Sequence, residues 1–194
     1  MADKDKTEGA ELELDADGIP IQTYAAEVLV VVPSKDFGEQ ALRYARSFLY
    51  NVHVGTRSVS TEYDAMVTGR LQDEFLVDQP IAGVSLDGYA GVIFAGGAGA
   101  TEMAGNADVQ RLAREAHASG KLIGTWGESL EVLVRAGVLK GLRVTGSPQL
   151  ADDVKRAGGK YSGRQVVTSG RVVTALDEAA GLRFGQALAS VVEI

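Results

Sequence analysis

Lys121-Leu-Ile-Gly-Thr-Trp-Gly-Glu-Ser-Leu130 is the stretch on which the reading of this chain turns. A short apolar strand gives way, within a residue or two, to a helix that continues through Glu131-Val-Leu-Val-Arg-Ala-Gly137. A strand-to-helix elbow of this kind holds its apex residue on a strained turn, above backbone N–H groups that can receive an oxyanion. The apex falls at Gly127, which has no side chain to react. The local architecture is that of a catalytic turn without the usual nucleophile. Glycine also removes the steric cost of the turn, so losing the nucleophile and gaining stability go together here.

Working outward, apolar runs of strand length alternate with helical patterns. Val109 to Ser119 reads as a helix with Gly120 as its C-cap, and Tyr89-Ala-Gly-Val-Ile-Phe94 as a buried strand before it. Val28-Leu-Val-Val-Val32 is a continuous β-branched run, the pattern of a strand covered on both faces. Gly38 to Tyr50 is a helix with Leu42, Ala45, Phe48 and Leu49 on one side, followed by a strand at Val52-His-Val54. A polar stretch with a turn at Gly69 then leads to a short segment from Val84. After the elbow come strands at Val144-Thr145, Val166-Val167 and Arg171-Val-Val-Thr174, and a closing helix over Glu178–Val192. This alternation predicts a mostly parallel sheet with helices on both faces, whose ligands bind beyond the carboxyl ends of the strands.

The chain divides into an acidic N-terminal tail, residues 1–24, and one α/β domain over residues 25–194. The tail carries Asp3, Asp5, Glu8, Glu11, Glu13, Asp15 and Asp17 against Lys4 and Lys6, and Glu11-Leu-Glu-Leu14 has the alternation of a short edge strand. The formal net charge of −7 argues against a nucleic-acid partner, because no domain-wide basic surface is available to neutralise phosphates. Cysteine is absent, which excludes thiolate nucleophiles, disulfides and cysteine-bound metals. With His53 and His117 as the two histidines, no metal and no cofactor is expected. No apolar run approaches the ~20 residues that span a bilayer, and the N-terminus lacks the apolar core of a secretory signal, so the expected location is cytoplasmic.

Three post-strand loops should converge. Pro33-Ser-Lys-Asp-Phe-Gly-Glu39 puts Glu39 in the first turn of a helix, with Asp36 as a loop residue. Ala95-Gly-Gly-Ala-Gly99 follows a buried strand, and its glycines let backbone N–H groups meet a ligand, with Gly96 and Gly97 as the expected donors. It is not a dinucleotide fingerprint, and no Lys-[Ser/Thr] follows it as in a phosphate loop. The third is Trp126-Gly-Glu-Ser129. Trp126 is either a flat binding wall or a core residue under the elbow strand, and Ser129 either a displaced nucleophile or, more simply, a helix-capping hydroxyl.

Taken together, Asp36-Phe-Gly-Glu39, Ala95-Gly-Gly97, Gly120-Lys121, Ala136-Gly-Val-Leu-Lys-Gly-Leu-Arg-Val-Thr145, Ala157-Gly-Gly159 and Val172-Val-Thr174 occur in an order and spacing that resembles the ThiJ/PfpI (DJ-1) superfamily, related to class I glutamine amidotransferase domains. The resemblance covers residues 27–194 and implies a flavodoxin-like three-layer sandwich. The elbow of that superfamily reads Ala-Ile-Cys-His-Gly or Ala-Ile-Cys-Ala-Gly. Counting back without gaps from Ala136-Gly137 sets Gly127 on the cysteine, Glu128 on the next residue and Ser129 on the glycine. A gapped alternative sets Thr125-Trp-Gly127 on Cys-x-Gly and needs a two-residue insertion. Glu39 falls on the glutamate that bonds the thiol in such proteins. The resemblance also implies a homo-oligomer, a dimer or larger.

Without a cysteine, the thiol chemistry of the superfamily cannot carry over. The expectation is therefore a cysteine-independent enzyme in which Glu39 and Glu128 work as a pair, one neutral and one ionised, in acid–base chemistry on a small carbonyl compound. Hydration, dehydration, isomerisation or cyclisation would suit those groups, with Gly96 and Gly97 as donors and Trp126 and Gly127 lining the pocket. The alternative is a non-catalytic ligand-binding or oligomerisation module built on an extinct site.

Overall fold

The computed structural model describes residues 23–62 and 66–193. The expected tail strand at 11–14 lies outside the described residues. Strand β1 (Ala26–Val32) leads through the short β2 (Lys35–Phe37) into helix α1 (Glu39–Asn51), and β3 (Val54–Ser60) returns to the sheet. The next segment holds β4 (Met66–Gly69), β5 (Glu74–Leu76) and β6 (Gln79–Pro80). Then come β7 (Tyr89–Phe94), α2 (Ala100–Met103), α3 (Ala107–Ala118), β8 (Leu122–Trp126) and, after one 3-10 turn at Gly127–Ser129, α4 (Leu130–Ala136). The chain closes with β9 (Arg143–Val144), α5 (Ala151–Arg156), β10 (Lys160–Tyr161), β11 (Val166–Ser169), β12 (Val172–Ala175) and α6 (Gly181–Val191).

Seven strands form the central sheet in the order β11-β12-β8-β7-β1-β3-β6, parallel except for the β11–β12 pair. The β1 run is central because every residue from Val28 to Val32 is buried, and alternation divides it between two cores. Val28, Val30 and Val32 face α1 and α6 with Leu42, Leu49, Phe184 and Leu188. Leu29 and Val31 face α2, α3 and α4 with Met103, Leu112 and Leu133. At roughly 1.5–3 kcal/mol per fully buried aliphatic or aromatic side chain, these two layers supply the main favourable term for the fold. None of the helices among the described residues is long and apolar enough to cross a membrane.

Two expectations need correction. The second strand does not occupy Val52–Val54. Helix α1 runs on to Asn51, Val52 and His53 close its end by donating to Leu49 and Tyr50 carbonyls, and His53 takes φ 58° there. The strand that follows, Val54–Ser60, was masked by Thr56 and Arg57, which lie part-exposed and exposed in its middle. The polar stretch with Gly69 is also more than a turn: β4 and β5 form a hairpin that adds to β2 as a separate three-stranded sheet.

Candidate functional site

The three loops do converge at the carboxyl ends of β1, β7 and β8. Gly38 donates its N–H to the Gly96 carbonyl at 2.8 Å, and the Gly99 N–H reaches the Asp36 carbonyl at 3.4 Å, so the first two loops are tied together. Asp36 takes φ 55° in that junction. The Ser129 hydroxyl joins the second loop to the elbow. It accepts the Trp126 N–H at 3.1 Å and donates to the Phe94 carbonyl at 2.8 Å, with the Trp126 carbonyl at 3.0 Å as a second acceptor. Ser129 is fully buried and its hydroxyl is committed to the backbone of Trp126 and Phe94; it does not cap α4 with a side-chain hydrogen bond.

Gly127 is the apex. It has φ 58° directly after β8, and a Cβ built on it would meet no atom within 4 Å, so the space before the turn is open. The positive φ marks Gly127, not Thr125, as the elbow residue. Thr125 stays inside β8, fully buried, its Oγ1 without a partner. Behind the turn, the Ser147 N–H donates to the Gly127 carbonyl at 3.0 Å, and the Tyr161 hydroxyl fixes that supporting loop by donating to the Gly146 carbonyl at 2.7 Å. Burial raises the Tyr161 phenol above its ordinary value, partly countered by a hydrogen bond with Thr145.

Trp126 is a core residue. It is 1% exposed, with its ring 5.6 Å from that of Phe184. The indole fills the gap between the first two loops: a Cβ on Gly38 would stand 3.0 Å from its Nε1, and one on Gly96 2.6 Å from its Cδ1 and 2.1 Å from its carbonyl oxygen. Gly96 is thus required by the close approach of Trp126. No hydrogen bond from the Gly96 or Gly97 N–H is present among the described residues, which leaves both as free donors.

Glu39 opens α1 and is 3% exposed. Its Oε1 accepts the Leu71 N–H from the β4–β5 turn, while Oε2 is buried with no partner. The turn lies against it so closely that Gly69 has no room for a Cβ, which would stand 2.1 Å from Oε1. Glu128 is part-buried and makes no hydrogen bond or ion pair with a described residue. Glu39 lines a cavity of about 240 Å³ between α1 and the hairpin, and Gly96, Gly97, Trp126, Gly127 and Glu128 are not on its wall.

Sequence reasoning missed Glu178 and Arg70. Gly38 cannot cap α1 with a side chain, and Glu178 does so from across the chain, accepting the Gln40 N–H at 2.8 Å on Oε1 and Arg70 Nη2 at 2.9 Å on Oε2. Asp177 caps the turn at Glu178–Ala180, so the Asp-Glu start of the closing helix was the available signal. Among the described residues, no three carboxylates or imidazoles gather as a metal site.

The family model for the DJ-1/PfpI family matches residues 26–191. The chain belongs to the DJ-1/PfpI family. It is 30% identical over 171 residues to an uncharacterized protein of Methanocaldococcus jannaschii, covering 87% of this chain and 83% of that one. It is 28% identical over 109 residues to deglycase PfpI of Pyrococcus furiosus, 56% of this chain and 66% of the relative. Among solved structures, a ThiJ/PfpI domain protein of Brachyspira murdochii superposes with TM-score 0.80 at 21% identity, over 85% of this chain and 95% of that protein. DJ-1beta of Drosophila melanogaster gives 0.76 at 22%, over 86% and 90%. These likenesses establish the flavodoxin-like α/β fold for this chain.

Proposed function

We propose that this DJ-1/PfpI chain is a cysteine-independent enzyme acting on a small carbonyl compound, with Glu39 as the group that moves the proton. Glu128, Gly96 and Gly97 lie off the wall of the cavity that Glu39 lines, so the paired carboxylates and the glycine donors expected from sequence are not part of this reading and Glu39 alone is assigned the proton transfer. The reading rests on one observation: Glu39 Oε2 is buried and has no hydrogen-bond partner. A buried polar oxygen left unpaired costs free energy comparable to a lost hydrogen bond, which a bound donor would recover. The deglycase named for the Pyrococcus relative is not carried over, since this chain has no cysteine to supply thiol chemistry. The reaction class is hydration, dehydration, isomerisation or cyclisation, and the working form is a homo-oligomer. Replacing Glu39 by Gln should lower turnover on the best compound of a carbonyl panel by at least ~10²-fold. Turnover that survives the replacement refutes the assignment.

A second reading has its own observation. The cavity beside Glu39 carries neither a second unpaired buried carboxyl nor the Gly96 and Gly97 donors on its wall. On that reading the chain binds a ligand without converting it. Ligand binding by calorimetry with no turnover across the panel would select it.

A further inference from the structure

Glu39 and Arg46 stand seven residues apart on α1, two turns along one stripe of the helix, with about 10 Å of axial rise between them. Both line the cavity between α1 and the β4–β5 hairpin. At one end is the buried, partnerless Oε2 of Glu39. At the other is Arg46, a cation held in place without an ion pair among the described residues. Its Nε donates to Thr56 Oγ1 at 3.2 Å and its guanidinium lies 5.1 Å from the centre of the Phe75 ring. Between the two ends the wall is apolar: Leu42, and Phe37 packed edge-on against Phe75 with ring centres 5.9 Å apart. Arg43 and Asp73, also on the wall, are bound to each other, and the exposed Glu74 adds a carboxylate with no ion pair among the described residues.

We infer that this cavity is a binding site for a short zwitterion whose ammonium and carboxylate are separated by an apolar spacer, the chemistry of an ω-amino acid or a dipeptide. On binding, the Glu39 carboxyl turns Oε2, which is closed to solvent in the unliganded chain, toward the ammonium; the carboxylate meets the free edge of the Arg46 guanidinium, and the methylene spacer lies on Leu42, Phe37 and Phe75. With about 10 Å of helix rise between the residues that carry the two protein charges, a ligand with a spacer between its own charges is favoured over an α-amino acid, whose charges sit on neighbouring atoms. The roughly 240 Å³ of space accommodates a zwitterion of about eight heavy atoms, the size of 5-aminopentanoate. The site uses the same Glu39 side chain as the proposed function but does not depend on its catalytic role.

The test is calorimetric titration of the full chain with 5-aminopentanoate, and with pentanoate and pentylamine as half-ligands. The zwitterion should bind about tenfold more tightly than either half, because each end gains a charge-assisted contact the other lacks. Arg46→Gln, an exposed change that leaves the core intact, should weaken 5-aminopentanoate and pentanoate about tenfold and leave pentylamine unchanged. Glu39→Gln should do the reverse. Equal affinity for all three probes, no binding of any, or an Arg46→Gln variant that binds the zwitterion as the parent does, overturns the inference. Selectivity that fails while Glu39-dependent turnover of uncharged carbonyl compounds persists removes this site alone. Zwitterion binding with no Glu39-dependent turnover supports this site and removes the catalytic reading.

Discussion

Replacing Gly127 by Ala and Gly96 by Ala should have very different consequences, although both glycines belong to the same candidate site. At Gly127 the φ of 58° places an L-residue in the left-handed region, at roughly 1–2 kcal/mol, and the added methyl meets nothing within 4 Å. At Gly96 the methyl would stand 2.1 Å from the Trp126 carbonyl oxygen and 2.6 Å from Cδ1 of its indole. That overlap cannot be relieved by a rotamer change, because the carbonyl belongs to β8 and the indole is fully packed. Shifting a strand end and a buried ring costs about 3 kcal/mol or more. In a domain of this size each kcal/mol lowers Tm by about 2–4 °C, so Gly127→Ala should melt a few degrees below the parent and Gly96→Ala about 6–12 °C below it. Differential scanning calorimetry, with urea midpoints as a second measure, reads both. A cysteine at Gly127 adds an independent check, since it would be the sole thiol in the chain and should react fully with Ellman's reagent under native conditions. Equal destabilisation by the two alanines, or a Gly127→Cys thiol that reacts only after unfolding, would refute the open-apex geometry.

Glu178→Ala removes both the cap on α1 and the partner of Arg70, and should cost about 1–2 kcal/mol by urea unfolding. Arg70→Ala, which breaks only a bridge whose guanidinium side is 59% exposed, should cost under about 1 kcal/mol. A larger loss at Arg70 than at Glu178 would show that the bridge, and not the cap, matters. Burial raises the phenols of Tyr161 and Tyr89, the latter with help from the Glu27 charge. A raised phenol keeps its proton in the folded chain at a pH where the unfolded chain has released it, so stability should be level below the ordinary value of 10.0 and fall as pH climbs past it. In Tyr161→Phe that fall should be shallower in urea midpoints taken across this range, and an unchanged slope would exclude Tyr161 as a contributor.

The elements legible from sequence are those whose neighbours cover both faces. The β1 run and Tyr89–Phe94 are apolar throughout because helices lie above and below them, and the elbow is legible because its turn is local. Strand β3 was not, because it lies next to the sheet's edge. The two-residue β6 pairs only with Val59 and Ser60, so its first half carries Thr56 and Arg57 toward solvent and shows no clean pattern. The candidate site divides along the same line. Glu39 and Gly127 could be placed from position in the chain alone. The Arg70–Glu178 bridge and the Glu178 cap join residues 108 and 138 positions apart, and no local pattern announces such contacts.

Trp126 shows why two readings of one residue could not be separated before the fold was known. A lone indole beside an elbow is compatible with a pocket wall or with core, and each glycine of the Ala95–Gly99 loop is compatible with a ligand approaching the backbone. Only together do Gly38, Trp126 and Gly96 form one unit, in which both missing side chains make room for the indole. Gly96 is therefore fixed by packing in the direction of its absent Cβ, while its N–H remains free. The indole thus closes the back of the loop junction without occupying the open space before Gly127. A substrate approaching the elbow would meet backbone N–H groups and Gly127, and would reach the tryptophan only if the first two loops separated.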